Sequence, residues 1–325
     1  DYVENRHGDS GRIAQMGEPL TALNFRGEPV EDQARFLNLG VFMEWEQTLA
    51  RGRWLSAGVR GDYHELRVQS DDFSNVSAGA TDHSAQWSGF ARYEQALMSL
   101  PMTLYTGFGR SERAPDFWER GREFFLSNEV LNQADLGITL STERVNGTLS
   151  LFYGIYDDFI LVTDNGDSAE NINAELLGGE ADITIALNAA WQAQASIAYT
   201  RARNKTDSVA LAQTPPLEAT LGVEFSQHGW LAGALWRGVA RQHRTDEGRG
   251  TIYSLDTSET PGFATASLYG GYQFTPMTRV TVGADNLFDR RYVEHIQRGS
   301  ADFGVSDKRI PEPGRYLWAN VSLEF

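Results

Sequence analysis

The feature that most restricts the fold of this chain is a period of two that ends only with its final residue. In GRYLWANVSLEF, Leu317, Ala319, Val321, Leu323 and Phe325 alternate with Tyr316, Trp318, Asn320, Ser322 and Glu324. Alternation at period two is a strand signal, because successive side chains leave opposite faces of the backbone. One apolar face opposite a mixed polar one suits a sheet with two different solvents. In a membrane β-barrel every strand meets lipid outside and a wet lumen inside.

The same reading applied from Ala34 onward predicts thirteen strands, at roughly 34–49, 53–69, 85–98, 102–112, 135–144, 147–161, 172–187, 191–203, 216–226, 230–242, 262–274, 278–288 and 314–325. Residues 1–33 are polar, lack a clear period and read as a long loop. The connections carry a second constraint. Short turns at 50–53, 99–102, 145–147, 188–190, 227–229 and 275–277 alternate with long polar stretches at 70–84, 113–134, 162–171, 204–215, 243–261 and 289–313. Short turns on one side and long loops on the other are expected of an outer-membrane barrel. No internal repeat of fixed period is present, which argues against a propeller.

Phase assigns the faces. Leu149, Leu151, Tyr153 and Ile155 point to lipid, as do Leu55, Ala57, Val59 and Tyr63. Arg60, Asp62 and His64 fall on the lumen side, where charge is tolerated, and are expected to form a structural network there. His64 could instead pair with Asp62 as a supporting hydrogen bond. A net charge of -16 excludes nucleic acid as a partner, since phosphates call for basic surfaces. No Cys is present, so thiolate chemistry and disulfides within the chain are excluded. No run of about 18 apolar residues suggests a transmembrane helix, which leaves a strand-built membrane protein open.

Four stretches, in order along the chain, carry a family likeness. GRSERAPDFWE (109–119) resembles the strand-end motif of TonB-dependent outer-membrane receptors, with Arg113, Pro115, Asp116, Trp118 and Glu119 at its motif positions. NINAELLGGEADITIAL (171–187), with Gly178, Gly179 and Glu180, is similar to a later signature. VTVGADNLFDRRY (280–292), with Asn286, Leu287 and Phe288, and EPGRYLWANVSLEF (312–325), with Pro313, Gly314, Arg315 and Phe325, resemble the last two. The likeness covers nearly all of the chain from about residue 34. It implies an all-β, transmembrane antiparallel β-barrel of about 22 strands with a plug folded inside it. On that reading residues 1–325 are the C-terminal barrel portion, with the plug and the earlier strands upstream of Asp1. The stretch between Leu131 and Asp135 looks shortened, where the family usually has a longer segment with a Pro-Glu pair.

The resemblance further implies location in the outer membrane of a Gram-negative bacterium and contact with the bilayer and lipopolysaccharide. It also implies energising by the TonB-ExbB-ExbD complex, through a segment upstream of the plug, and assembly by the barrel-assembly machinery, which reads Phe325. Within the family, PDFWE, HIQRGSADFG (295–304) and EPGRYLW resemble the copper-receptor subgroup more than the siderophore receptors. The subgroup's Asp-His-x-Met motif is not matched: in DYVENRH, Tyr2 and Glu4 stand at the corresponding places. Copper is the favoured transported ion on this likeness, with an iron-siderophore or other chelate as the alternative.

Thioether and imidazole donors suit copper, and turn alternation puts His7, Met16, His83, His243 and His295 on the extracellular side with His64 in the upper lumen. Each reads first as an ordinary loop or wall residue, and none forms a close His/Met pair, so a site would have to be assembled across loops. A passive porin-like channel and a barrel enzyme are the readings from other classes. No nucleophile elbow supports the latter, so the chain reads as a receptor and not an enzyme.

Overall fold

The computed structural model describes residues 2–8, 33–69, 74, 76–251, 254–297 and 309–324. Its strands are β1 (Tyr2–Gly8), β2 (Gln33–Ala50), β3 (Arg53–Val68), β4 (Thr81–Leu97), β5 (Met102–Arg113), β6 (Glu129–Ser141), β7 (Val145–Thr163), β8 (Ser168–Ala186), β9 (Trp191–Asn204), β10 (Val209–Ala210), β11 (Glu218–Gln227), β12 (Trp230–Val239), β13 (Gly250–Thr251), β14 (Ser254–Leu255), β15 (Phe263–Thr275), β16 (Thr278–Asp285) and β17 (Tyr316–Leu323). The long strands form an antiparallel meander in which each pairs with the next, β9 passing to β11 and β12 to β15 across the short loop strands. No described helix is long and apolar enough to cross a membrane.

All thirteen strands expected from periodicity are present, and the differences have local causes. Tyr2–Gly8, read as loop, is a strand whose backbone pairs Tyr2 with Leu39 through Gly8 with Gln33. Its sequence, YVENRHG, is too charged to show an apolar face. The turn placed at 145–147 lies at 142–144, where the Thr142 hydroxyl accepts from the backbone N–H of Arg144 (3.2 Å) and Val145 (2.7 Å). β6 begins at Glu129 and pairs with β5 without a break, so the stretch that looks shortened is strand throughout. β7 and β8 are 19 residues each, against about 9–11 needed to cross a bilayer. Their hairpin therefore stands well above the membrane, and most of the loop expected at 162–171 is paired strand. At the opposite end, His228 (φ 50°) and Gly229 (φ 81°) take the paired left-handed conformations that suit a two-residue hairpin.

The two halves of the sheet differ in what they bury. Along the middle of β2, Leu39, Val41, Met43 and Trp45 face outward and stay exposed, Val41 at 72%. Continuous exposure of that kind would be a liability in water and is required in lipid. The buried cores sit instead at the long-loop ends of the strands. One joins Ala34, Phe36, Leu66 and Val68 to Phe117 and Phe124. A second joins Leu161, Ile172, Ala174, Ala202, Leu211 and Ala212.

Candidate functional site

The long-loop end holds the chemistry, and its centre is the β5–β6 connection. This segment, expected as plain loop, contains one helical turn, α1 (Phe117–Arg120). Asp116 and Glu119 form a reciprocal capping box: Asp116 Oδ1 accepts from the Glu119 N–H, and Glu119 Oε2 accepts from the Asp116 N–H, both at 2.8 Å. That pairing satisfies two orphan donors and fixes so short a helix. Burial pushes the Asp116 carboxyl above its ordinary value.

Arg113, the last residue of β5, donates to both Glu119 oxygens (2.8 and 2.9 Å) and both Glu129 oxygens (3.1 and 3.0 Å). Glu129 also accepts from the Ile160 N–H at 3.0 Å, so one guanidinium ties α1, β6 and β7 together. Below, Phe117 meets Phe36 edge to face at 6.2 Å between centroids. Arg120, 1% exposed, pairs with Asp82 at 2.5 Å, and Pro115 is fully buried. On the far side Arg122 donates to Gly166 O at 2.7 Å, at the tip of the β7–β8 hairpin. The segment is thus a strap across the mouth of the sheet, fastened to β2–β4 at one end and to β7–β8 at the other. Trp118 (46%) and Phe125 (78%) remain exposed on it.

A second tier is built from the β12–β15 and β16–β17 connections. Arg237 on β12 donates to Glu218 (2.7 and 2.8 Å) and Glu294 (2.6 and 3.2 Å). His295 is buried: its Nδ1 lies 3.1 Å from the Thr260 hydroxyl and its Nε2 3.6 Å from Asp256 Oδ1. At 3.6 Å the Nε2 has no hydrogen-bond partner. Burial, reinforced by the Arg309 guanidinium, holds His295 down at about 4, and burial pushes Asp256 up. Arg309 in turn donates to Ser258 O at 2.8 Å and to His295 O.

Two of the sequence motifs turn out to be one device. Asn286, in a left-handed conformation (φ 47°), donates from Nδ2 to Arg290 O (2.8 Å) and Pro313 O (3.2 Å) and accepts from the Arg290 N–H (2.8 Å). Asp289 Oδ1 accepts from the Arg315 N–H at 2.8 Å, and a Cβ on Gly314 would lie 2.5 Å from that oxygen. The NLFDRRY and EPGR stretches therefore clasp the base of the loop between them, while Phe288 stays exposed. Leu287 donates its N–H to Ala266 O at 2.8 Å, tying the clasp to β15. In β8, a Cβ on Gly178 would lie 2.4 Å from the Phe152 ring and one on Gly179 2.7 Å from Leu151, and Glu180 stands exposed beside them.

The candidate metal donors are scattered. His64 does not meet Asp62: its Nδ1 lies 2.5 Å from Asn38 Oδ1 and its ring packs on Phe36, while Asp62 takes the Arg60 guanidinium (2.7 to 3.0 Å). His83 faces outward opposite Glu65, His243 is exposed, and His295 is enclosed in its own pocket. The backbone of His7 pairs with Ala34. Met16 and Phe325 lie outside the described residues. Among the described residues no three His, Asp or Glu side chains gather to hold a metal ion. The Arg237 cluster was not foreseen, although a single charge within WLAGALWRGV was a readable signal.

Residues 7–287 match the family described as TonB dependent receptor-like, beta-barrel. The copper transporter OprC is similar at 34% identity and a TM-score of 0.85, covering 90% of this chain and 48% of that one. The ferric enterobactin receptor of Pseudomonas aeruginosa is 23% identical over 362 residues, covering 100% of this chain and 48% of the receptor. The ferric-catecholate import receptor Fiu of E. coli K12 shares the fold, with a TM-score of 0.72 at 16% identity, covering 100% of this chain and 51% of that one. The chain thus spans about half the length of the relatives it matches. A strand meander with an apolar outer belt, strapped and clasped at its long-loop end and matched over most of its length, belongs to the β-barrel of the TonB-dependent receptor family of outer-membrane proteins.

Proposed function

We propose that this chain is barrel wall from a receptor that takes up a scarce metal by TonB-driven transport, with copper as the cargo. The observation that carries the reading is the state of the inner-wall arginines. Arg60 sits on Asp62, Arg92 on Glu94, Arg113 on Glu119 and Glu129, and Arg237 on Glu218 and Glu294. An anionic ferric chelate calls for cations left available to it. Here the wall presents neutralised pairs, in a chain whose net charge is -16, and such a field draws cations. The likeness to a copper transporter over 90% of the chain supports the same reading.

The copper donors would come from parts of the receptor beyond the described wall, in the plug that the family likeness implies. The wall's role would be to shape and strap the mouth, not to coordinate. TonB, ExbB and ExbD would supply the work of moving the plug, as the family likeness implies. No catalytic role is assigned.

The test is titration calorimetry of the full-length receptor with Cu, Zn and a ferric catecholate, paired with uptake in cells lacking TonB. Copper binding at micromolar concentration and TonB-dependent copper uptake are expected. Absence of copper binding alongside tight ferric-catecholate binding would overturn the copper assignment. It would favour the siderophore reading, which the likeness to the ferric enterobactin receptor supports.

A further inference from the structure

Beside the clasp, on the lumen face, β15, β16 and β17 border a cavity of about 340 Å³. Strand register places its walls. Asp285 lies directly opposite Tyr316, while the adjoining pair Ala284 and Leu317 belongs to the outer face, Leu317 at 71% exposure. Asp285 and Tyr316 therefore face inward. Thr265 lies opposite the inner-wall Arg237, and Ser267 follows two residues on along the same face. Tyr292, from the loop, adds to the lining, its ring stacked on Phe263 at 4.2 Å between centroids.

The charge in this cavity is one-sided. Trp318 Nε1 donates to Asp285 Oδ2 at 3.0 Å, and among the described residues no cation pairs with that carboxylate. Arg237 is already taken by Glu218 and Glu294. Burial, with Glu294, Glu312 and Asp285 adding to it against Arg237, pushes the Tyr292 hydroxyl above its ordinary value. A carboxylate without a counter-ion beside two tyrosine rings suits a cation with an apolar body. A hard metal ion fits poorly, since Ca²⁺ gathers about six to eight oxygens. A soft one lacks donors, because no imidazole or thioether is among the described lining residues. The form of the charge then separates the organic cations. A guanidinium fork takes both oxygens of a carboxylate, and Trp318 already holds one of them. A primary ammonium is a point charge with three donors. Those three match the remaining Asp285 oxygen and the hydroxyls of Thr265 and Ser267.

We propose that this cavity binds a small primary alkylamine, with Asp285, Thr265 and Ser267 holding the ammonium and Tyr292 and Tyr316 flanking the alkyl chain. A cavity of this size takes a short amine whole. The assignment is separate from the metal cargo, because none of these five residues is a candidate copper ligand.

The experiment is titration calorimetry of the full-length receptor with three probes that differ at one end: 5-aminopentan-1-ol, pentane-1,5-diol and 5-guanidinopentan-1-ol. The amine is expected to bind with a Kd of about 1 mM or lower, and the other two roughly tenfold more weakly. Asp285→Asn keeps an oxygen for the Trp318 N–H and removes the charge, and should weaken the amine roughly tenfold. Tyr316→Leu, at a residue 58% exposed, should weaken it several-fold, while Tyr316→Phe retains the ring and the affinity. Should Asp285→Asn fail to fold, the two Tyr316 variants decide the matter. No binding of the amine at millimolar concentration, as from a cavity filled by another part of the receptor, would overturn the proposal. Equal binding of the diol or the guanidine, or unchanged binding by both Asp285→Asn and Tyr316→Leu, would overturn it as well. Displacement of the amine by Cu²⁺ at matched concentration would make this a metal site and end the assignment, whereas failure of copper uptake alone would leave it standing.

Discussion

The strap and the His295 pocket are both buried polar clusters at the same end of the sheet, and they are built to different standards. Around Arg113 each charged group has a partner: two carboxylates, the capping box and a backbone N–H close the set. The strap's one unmet buried atom among the described residues is the Nε of Arg120, whose guanidinium is otherwise held by Asp82. Around His295 one ring nitrogen is left at 3.6 Å from Asp256 Oδ1, too far for a hydrogen bond. A cluster whose ionised groups are all paired behaves as a fixed anchor. A cluster with an unmet nitrogen is poised to change with its protonation. The difference assigns rigidity to the strap and responsiveness to the loop tier.

The largest effect expected from breaking this contrast is at Arg113. Arg113→Ala leaves Glu119 and Glu129, whose side chains are 7% and 12% exposed, facing each other without a cation. Losing one partner of such a set costs roughly 3–5 kcal/mol, and the half-exposed arginine puts this case at the lower end. Melting of the refolded receptor and tryptic cleavage at Arg120 or Arg122 would report it; an unaltered melt with a resistant strap would remove the anchor role. A smaller effect follows from pH in the loop tier. His295 is held at about 4 when folded, below about 6.5 when unfolded. The folded state then binds fewer protons, so its stability is present above about pH 6.5 and falls as pH drops toward 4, by at most about 3 kcal/mol. The raised Asp256 titrates in the opposite sense and reduces the loss. Hydrogen exchange at the Gln242 and Thr260 amides, which pair with each other's carbonyls at 3.0 Å, should quicken between about pH 7 and pH 4.5 after intrinsic-rate correction. His295→Gln should abolish the change. The smallest effect is expected at Arg241→Gln, whose partner Glu259 is likewise exposed; it should shift stability by less than about 1 kcal/mol. A larger shift would show that the upper loops are coupled more tightly than their contacts indicate.

The strands were legible because each must solve the same two-solvent problem alone, and alternation records that locally. Leu149 through Ile155 needed no distant partner to be read as lipid-facing, and their exposure agrees. β1 was hidden for the opposite reason: with few apolar residues, it is a strand because β2 offers it a backbone ladder. The strap lies between these cases. The spacing of Asp116 and Glu119 is a capping-box signal that can be read from DFWE. What it docks against cannot be read, because Arg122 and Gly166 are 44 residues apart. His295 was singled out for its donor chemistry, but its enclosure by Thr260, Asp256 and Arg309 depends on three separate pieces of chain meeting.

The clasp at Asn286, Asp289 and Pro313–Arg315 has a consequence for how the protein can diversify. Its hydrogen bonds close the loop at the base, so the cost of holding the ends together is met before any residue between them is specified. Further lengthening then adds only a slowly growing entropy. Glu294, His295 and Arg309 within the closed loop are themselves held by Arg237, Thr260 and Ser258, so a graft, epitope change or reporter insertion has to leave those three positions in place. β16 and β17 beneath it keep their register from Thr278 opposite Leu323 to Asp285 opposite Tyr316.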